Sequence, residues 1–99
     1  EVPVTAQVAG QAIMGIIDRL VISPQRILVV DFKSNADVPA RAEATPEGIL
    51  RQMGAYATAM EQVYPNQRVE TAILWTKTGE LMALPHEIVT QALGRVTAS

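Results

Sequence analysis

Apolar and polar positions alternate from the start of the chain: Val2, Val4, Ala6 and Val8 are separated by Pro3, Thr5 and Gln7, the period of a strand with one buried face. Gly10 marks a tight reversal, and a second strand is expected from about Ala12 to Ile22. Ser23-Pro24-Gln25-Arg26 supplies a turn before the apolar run Ile27-Leu28-Val29-Val30, which ends in Asp31-Phe32-Lys33. These segments predict an antiparallel three-strand meander.

Asn35 to Thr45, broken by Asp37 and Pro39, reads as a loop. Thr45 suits a helix cap and Pro46 the first helical position, after which Ile49, Met53, Tyr56 and Met60 recur on one face at three- and four-residue spacing. Tyr64-Pro65-Asn66 ends that helix. Val69 to Trp75 reads as a fourth strand, Lys77-Thr78-Gly79-Glu80 as a hairpin turn and Leu81 to Leu84 as a short fifth strand, and Pro85 begins a last helix. The pattern is that of one α/β (α+β) domain over residues 1–99, without repeats, linker or low-complexity tract.

Composition adds outer limits. With 99 residues, 48% apolar content and no cysteine, the chain relies on burial rather than on disulfides or thiolate-bound metal. The uncharged run from Val2 to Ile17 is interrupted by Pro3, Thr5, Gln7, Gly10, Gln11 and Gly15, so neither a membrane span nor a signal peptide is expected, and a cytoplasmic setting fits. A formal charge of −2 means that this piece carries no basic surface able to hold a nucleic-acid backbone by itself.

The candidate chemistry comes from register. A four-residue turn at Ser23 to Arg26 pairs Ile22 with Ile27 and sets Asp18 opposite Asp31 on one face. Directly opposed side chains have Cβ atoms roughly 4.5–5.5 Å apart, where like charges need compensation, and a divalent cation supplies it. Oxygen-only ligation by two carboxylates suits Mg²⁺, which takes further ligands from water and phosphate oxygens. Lys33, two residues beyond Asp31, points to the same face and is placed to stabilise negative charge on phosphoryl oxygens or to orient an attacking water. A one-residue slip in the turn would turn Asp18 away. Taken singly, an Asp or Lys near a strand end is an ordinary solvated residue.

Gly15-Ile16-Ile17-Asp18-Arg19-Leu20, then Val29-Val30-Asp31-Phe32-Lys33-Ser34-Asn35, then Gln52-Met53-Gly54-Ala55-Tyr56 form an ordered set. Together they resemble the PD-(D/E)xK nuclease superfamily in its RecB-like branch, where a G-x-x-D-R strand, a D-[FY]-K-[ST]-[NG] strand and a Q-x-x-x-Y helix follow one another. The resemblance implies a restriction-endonuclease-like core and a DNA exonuclease of a bacterial double-strand-break repair helicase-nuclease, using Mg²⁺ with Mn²⁺ able to substitute. It implies Asp18 and Asp31 as metal ligands with the backbone carbonyl of Phe32, and Lys33 as the catalytic lysine. Gln52 and Tyr56, one turn apart, are implied as DNA-binding or site-organising residues. By pattern alone, a tyrosine beside Met53 and Met60 is a core residue. The implied partners are DNA, a helicase motor in the same parent chain and a partner helicase-nuclease subunit.

The branch also carries a histidine metal ligand on a helix ahead of the first strand, and no such helix precedes Glu1. The expectation is an N-terminally truncated nuclease domain lacking its first core helix, with exposed apolar sheet surface that favours self-association. His86 does not match the ligand position and reads as surface or capping. Arg19 points to the face opposite Asp18, toward a surface acid or a neighbouring element rather than substrate. Glu43 reads as loop charge rather than a metal ligand, and Trp75 as core. A non-catalytic domain that keeps the nuclease fold to dock a partner subunit or guide DNA is the alternative, against which the intact Asp18, Asp31 and Lys33 set speaks.

Overall fold

The computed structural model describes residues 1–8 and 10–97. Strands β1 (Val2–Val8) and β2 (Gln11–Ile17) pair antiparallel from Val2 opposite Ile17 to Val8 opposite Gln11. Gly10 sits between them at φ +80°, a backbone conformation that side chains resist. Strands β3 (Arg19–Ile22) and β4 (Arg26–Lys33) follow, with Ile22 opposite Ile27 and Arg19 opposite Val30, the register expected from the turn. Ser23 holds that turn: its N–H and hydroxyl both donate to the Arg26 carbonyl, at 2.9 and 3.0 Å, and its Oγ accepts from Arg26 N at 3.2 Å.

The meander therefore keeps its order, but its middle strand is interrupted. Instead of running from Ala12 to Ile22, it breaks at Asp18, which leaves a two-stranded sheet, β1–β2, and a four-stranded one. The cause is local. Asp18 satisfies the β4 backbone with its side chain, Oδ2 accepting from Phe32 N at 2.8 Å, so a carboxylate stands where a ladder carbonyl would otherwise stand.

Helix α1 (Glu47–Val63) crosses from β4 to β5 (Arg68–Trp75), which lies parallel to β4 from Arg26 opposite Arg68 to Lys33 opposite Trp75. Gly79, at φ +74°, turns the chain into antiparallel β6 (Glu80–Leu84), and α2 (His86–Thr97) closes the fold against α1. The first helix starts one residue later than expected: Pro46 is its cap, its carbonyl accepting from Leu50 N at 3.1 Å, while Thr45 is buried and provides no cap. Burial on α1 is also wider than one stripe. Met53, Tyr56 and Met60 face the sheet layer as the spacing implies, but Gly54, Ala55, Ala57 and Ala59 are buried too, because α2 covers a second side.

The α1 side of the four-stranded sheet carries Ile27 and Val29 of β4, Val69, Ile73 and Trp75 of β5, and Met82 and Leu84 of β6, all in one core with Ile17, Met53 and Val89. Asp31 and Lys33 continue the Ile27–Val29 row. A charged pair is thus set at the end of an apolar row, directly under α1. Among the described residues, no helix is long and apolar enough to cross a membrane.

Candidate active site

Asp31 is 4% exposed, an unusual burial for a carboxylate, and takes its place from the strand period that buries Ile27 and Val29. Its Oδ2 lies 2.8 Å from Lys33 Nζ, yet that contact is not directed as a hydrogen bond, so the oxygen has none. Lys33 Nζ donates to Gln52 Oε1 at 3.0 Å, Gln52 Nε2 donates to the Tyr56 hydroxyl at 3.1 Å, and the hydroxyl donates to the Ile16 carbonyl at 3.0 Å. An ammonium only donates, which fixes the orientation of the Gln52 amide and then the direction of every bond in the chain.

Asp18 and Asp31 come together as the turn register predicts, across the gap between β2 and β3. Their carboxyls interact closely enough to displace each other's protonation in opposite directions. The Phe32 N–H bond holds Asp18 below its ordinary value, helped by Asp31 and Lys33 against a smaller opposing effect of burial. Burial pushes Asp31 up, and Asp18 adds to that, while Lys33 opposes it. The pair is therefore asymmetric, with one carboxylate readily ionised and the other reluctant.

Strand geometry orients the remaining ligand expected from sequence. A strand residue sends its own N–H and C=O to the same edge. Phe32 N–H bonds Asp18, so the Phe32 carbonyl faces the Asp18 edge. The next residue alternates as it should, the Lys33 carbonyl accepting from Thr76 N at 2.8 Å on the β5 side. Asp18 and Asp31 thus meet at the break between the sheets, and strand geometry turns the Phe32 carbonyl to the same edge. The donor set is all oxygen and includes a buried carboxylate oxygen without a hydrogen bond, which fits a hard divalent cation. Among the described residues, no group of three or more His, Cys, Asp and Glu side chains could hold a metal, so these residues alone leave much of such an ion's shell to water and phosphate.

The other candidates fall outside this cluster. His86, the first residue of α2, is exposed, with Nε2 3.7 Å from Glu61 Oε2. Glu43 lies exposed on the short 3₁₀ turn Ala42–Ala44. Trp75 is fully buried in the core. Arg19 is exposed and, among the described residues, has no ion pair, so the surface acid expected for it is not found. Sequence reasoning missed the role of Gly15, against which the Tyr56 ring lies. Its signals were a glycine inside a strand and its place at the head of the G-x-x-D-R set.

The family model of the PD-(D/E)XK nuclease superfamily matches residues 1–94. The chain belongs to that superfamily. No significant match was found among curated proteins or among solved structures. The mixed sheet, with β4 and β5 parallel and α1 as their crossover, agrees with a restriction-endonuclease-like fold. PD-(D/E)XK proteins are generally nucleases and typically use divalent metals, which accords with the all-oxygen donor set at the break beside Asp18.

Proposed function

We propose that this chain is the metal-dependent DNA nuclease domain of a helicase-nuclease, hydrolysing phosphodiester bonds with Mg²⁺ or Mn²⁺. The observation that carries the reading is the interaction of Asp18 with Asp31 at one sheet break, where Asp18 Oδ2 accepts from Phe32 N at 2.8 Å and Lys33 Nζ lies 2.8 Å from Asp31 Oδ2. Asp18, Asp31 and the Phe32 carbonyl would hold the cation. Bound there, the cation supplies Lewis-acid polarisation of the scissile phosphate.

Lys33 adds a fixed positive charge at the same place, where it stabilises the negative charge that grows on the phosphoryl oxygens. Gln52 accepts a hydrogen bond from that ammonium, and Tyr56 holds Gln52. A dry wall formed by the Tyr56 ring and the β4 row beneath α1 strengthens each of these electrostatic contacts. With a formal charge of −2, the chain has little basic surface of its own, which fits a domain to which DNA is delivered. Glu1-Val2-Pro3, Leu50-Arg51-Gln52-Met53 and Ala72-Ile73-Leu74-Trp75-Thr76 look most like the C-terminal nuclease domain of AddA, the helicase-nuclease subunit of bacterial double-strand-break repair. That likeness favours a motor in the same parent chain and a partner subunit.

The test is cleavage of end-labelled linear DNA by the full chain with and without Mg²⁺, beside Asp31→Ala. The expected outcome is metal-dependent shortening of the wild-type substrate and none with the variant. Cleavage that survives Asp31→Ala sinks the assignment. Mn²⁺ binding followed by calorimetry separates the alternative, a docking domain without catalysis, since that role requires no binding dependent on Asp18 and Asp31.

A further inference from the structure

Gly15 is not explained by its backbone, because Gly10 and Gly79 are the glycines with positive φ among the described residues. Its surroundings explain it. A Cβ built at Gly15 would meet three atoms of one side chain, Tyr56 Cε1 at 2.7 Å, the Tyr56 hydroxyl at 3.1 Å and Cζ at 3.3 Å. Real Cβ atoms do not approach to 2.7 Å, so any larger residue there displaces the ring. The same ring sends its hydroxyl to the carbonyl of the next β2 residue, Ile16, and receives Gln52, which receives Lys33.

We infer that Gly15 is a positioning residue for Lys33: its missing side chain seats Tyr56 on β2, and the seated hydroxyl locks Gln52 so that the ammonium stays beside Asp31. This rests on the proposed nuclease reading for its consequence, but not for its geometry. Lys33 has a flexible four-carbon stem, and Asp31 Oδ2 contacts it without hydrogen-bond direction. Gln52 Oε1, at 3.0 Å, is its hydrogen-bond acceptor beside the 2.8 Å ion pair with Asp31, and the orientation of Gln52 depends on Tyr56. Moving the ring clear of a Cβ lengthens or redirects the hydroxyl's bonds to the Ile16 carbonyl and to Gln52, at the anchored end of the sequence of donors. The glycine thus acts across two sheets and a helix on a side chain that it does not touch.

Three variants test this, Gly15→Ala, Tyr56→Phe and their double. The first measurement is the side-chain order of Lys33 by ¹³Cε relaxation in the metal-free, DNA-free full chain. Lys33 should loosen in both single variants, with no further loss in the double. The second is the kinetics of DNA cleavage with Mg²⁺, where kcat should fall roughly 10- to 100-fold with KM unchanged, again without multiplication in the double. An ordered Lys33 in both folded single variants, or losses that multiply, overturns the inference.

Should Gly15→Ala lower the melting temperature, the same substitution is made on Tyr56→Leu, which removes the ring that the new Cβ meets. Its effect should vanish there, and an undiminished effect overturns the inference. Loosening of Lys33 in a chain whose wild type cuts no DNA supports the positioning and removes the nuclease reading beneath it.

Discussion

Asp31→Asn should make the metal-free chain more stable at neutral pH while abolishing cleavage. The carboxylate is 4% exposed, one of its oxygens lacks a hydrogen bond, and burial raises its protonation range above the ordinary 3.8. A raised folded value means that ionisation is harder in the folded chain than in the unfolded one. Stability from this group is then fully present below 3.8 and is lost as pH rises through the folded value. Asparagine keeps the shape of the protonated acid and does not ionise, so it escapes that loss. The gain at pH 7 is about 1 kcal/mol, the lower end of what a poorly satisfied buried polar group costs. That corresponds to roughly 4–8 °C in melting temperature for a domain of this size. Lys33 loses a counter-ion but keeps Gln52 and partial contact with water, which limits the offset. The assay is urea denaturation of both proteins from pH 3 to pH 8 in chelator, followed by melting with Mn²⁺ added. The two curves should meet at pH 3, where both side chains are neutral, and separate as pH rises, with wild type the weaker. Added Mn²⁺ should raise the wild-type melting temperature and leave the variant unmoved. A variant less stable than wild type at pH 7, or a gap that persists at pH 3, refutes the reasoning.

Other consequences follow from single contacts. Asp18→Asn should behave oppositely, because the Phe32 N–H lowers the Asp18 value: its stability is present above 3.8 and is lost as pH falls through the folded value, so the variant is weaker by about 1 kcal/mol at pH 7 and equal to wild type under strong acid, as read by the urea midpoint. Gly54→Ala would set a Cβ 2.3 Å from the Val89 carbonyl oxygen and 3.1 Å from Leu93 Cβ, which forces α1 and α2 apart. Overpacking of about 1–3 kcal/mol exceeds the roughly 1 kcal/mol gained in helix propensity, so a net fall in calorimetric melting temperature is expected. Lys33→Met should lower kcat for DNA cleavage by roughly 10²-fold or more while Mn²⁺ affinity, measured by calorimetry, falls little.

Local chemistry made much of this fold legible and left its long-range parts hidden. The β3–β4 register could be read because Ser23 and Arg26 close the turn with their own atoms, and that register alone brings Asp18 to Asp31. The same residue was the place where period-two reading failed. Asp18 looks like one more strand position, but its side chain takes the Phe32 N–H, and the strand stops. Thr45 failed as a cap for a similar reason, since burial overrode its local preference. The parallel pairing of β4 with β5 had no turn to announce it, and both strands are apolar on both faces through Val30 and Ala72. Tyr56 was readable as core or as site: its ring is buried, and its hydroxyl accepts from Gln52 and donates to the Ile16 carbonyl.

On the proposed reading, the break at Asp18 is also what makes the site. Had β2 and β3 run as one strand, backbone pairing would have claimed both the Phe32 N–H and the Phe32 carbonyl, and Asp18 would have stood over a closed ladder. By taking the N–H with its carboxylate, Asp18 leaves the carbonyl of the same residue on the edge that faces the gap, beside a buried carboxyl that the core has already made reluctant to ionise. One hydrogen bond thus ends a strand, frees an oxygen and lowers the protonation range of the residue that makes it. The cost falls on Asp31, the residue for which burial and the neighbouring carboxylate act in the same direction, and on the proposed reading a bound cation would relieve that cost. Instability of the empty pair and affinity for a divalent ion are on this reading the same quantity, so a substitution that stabilises the metal-free chain at this position has to weaken the site.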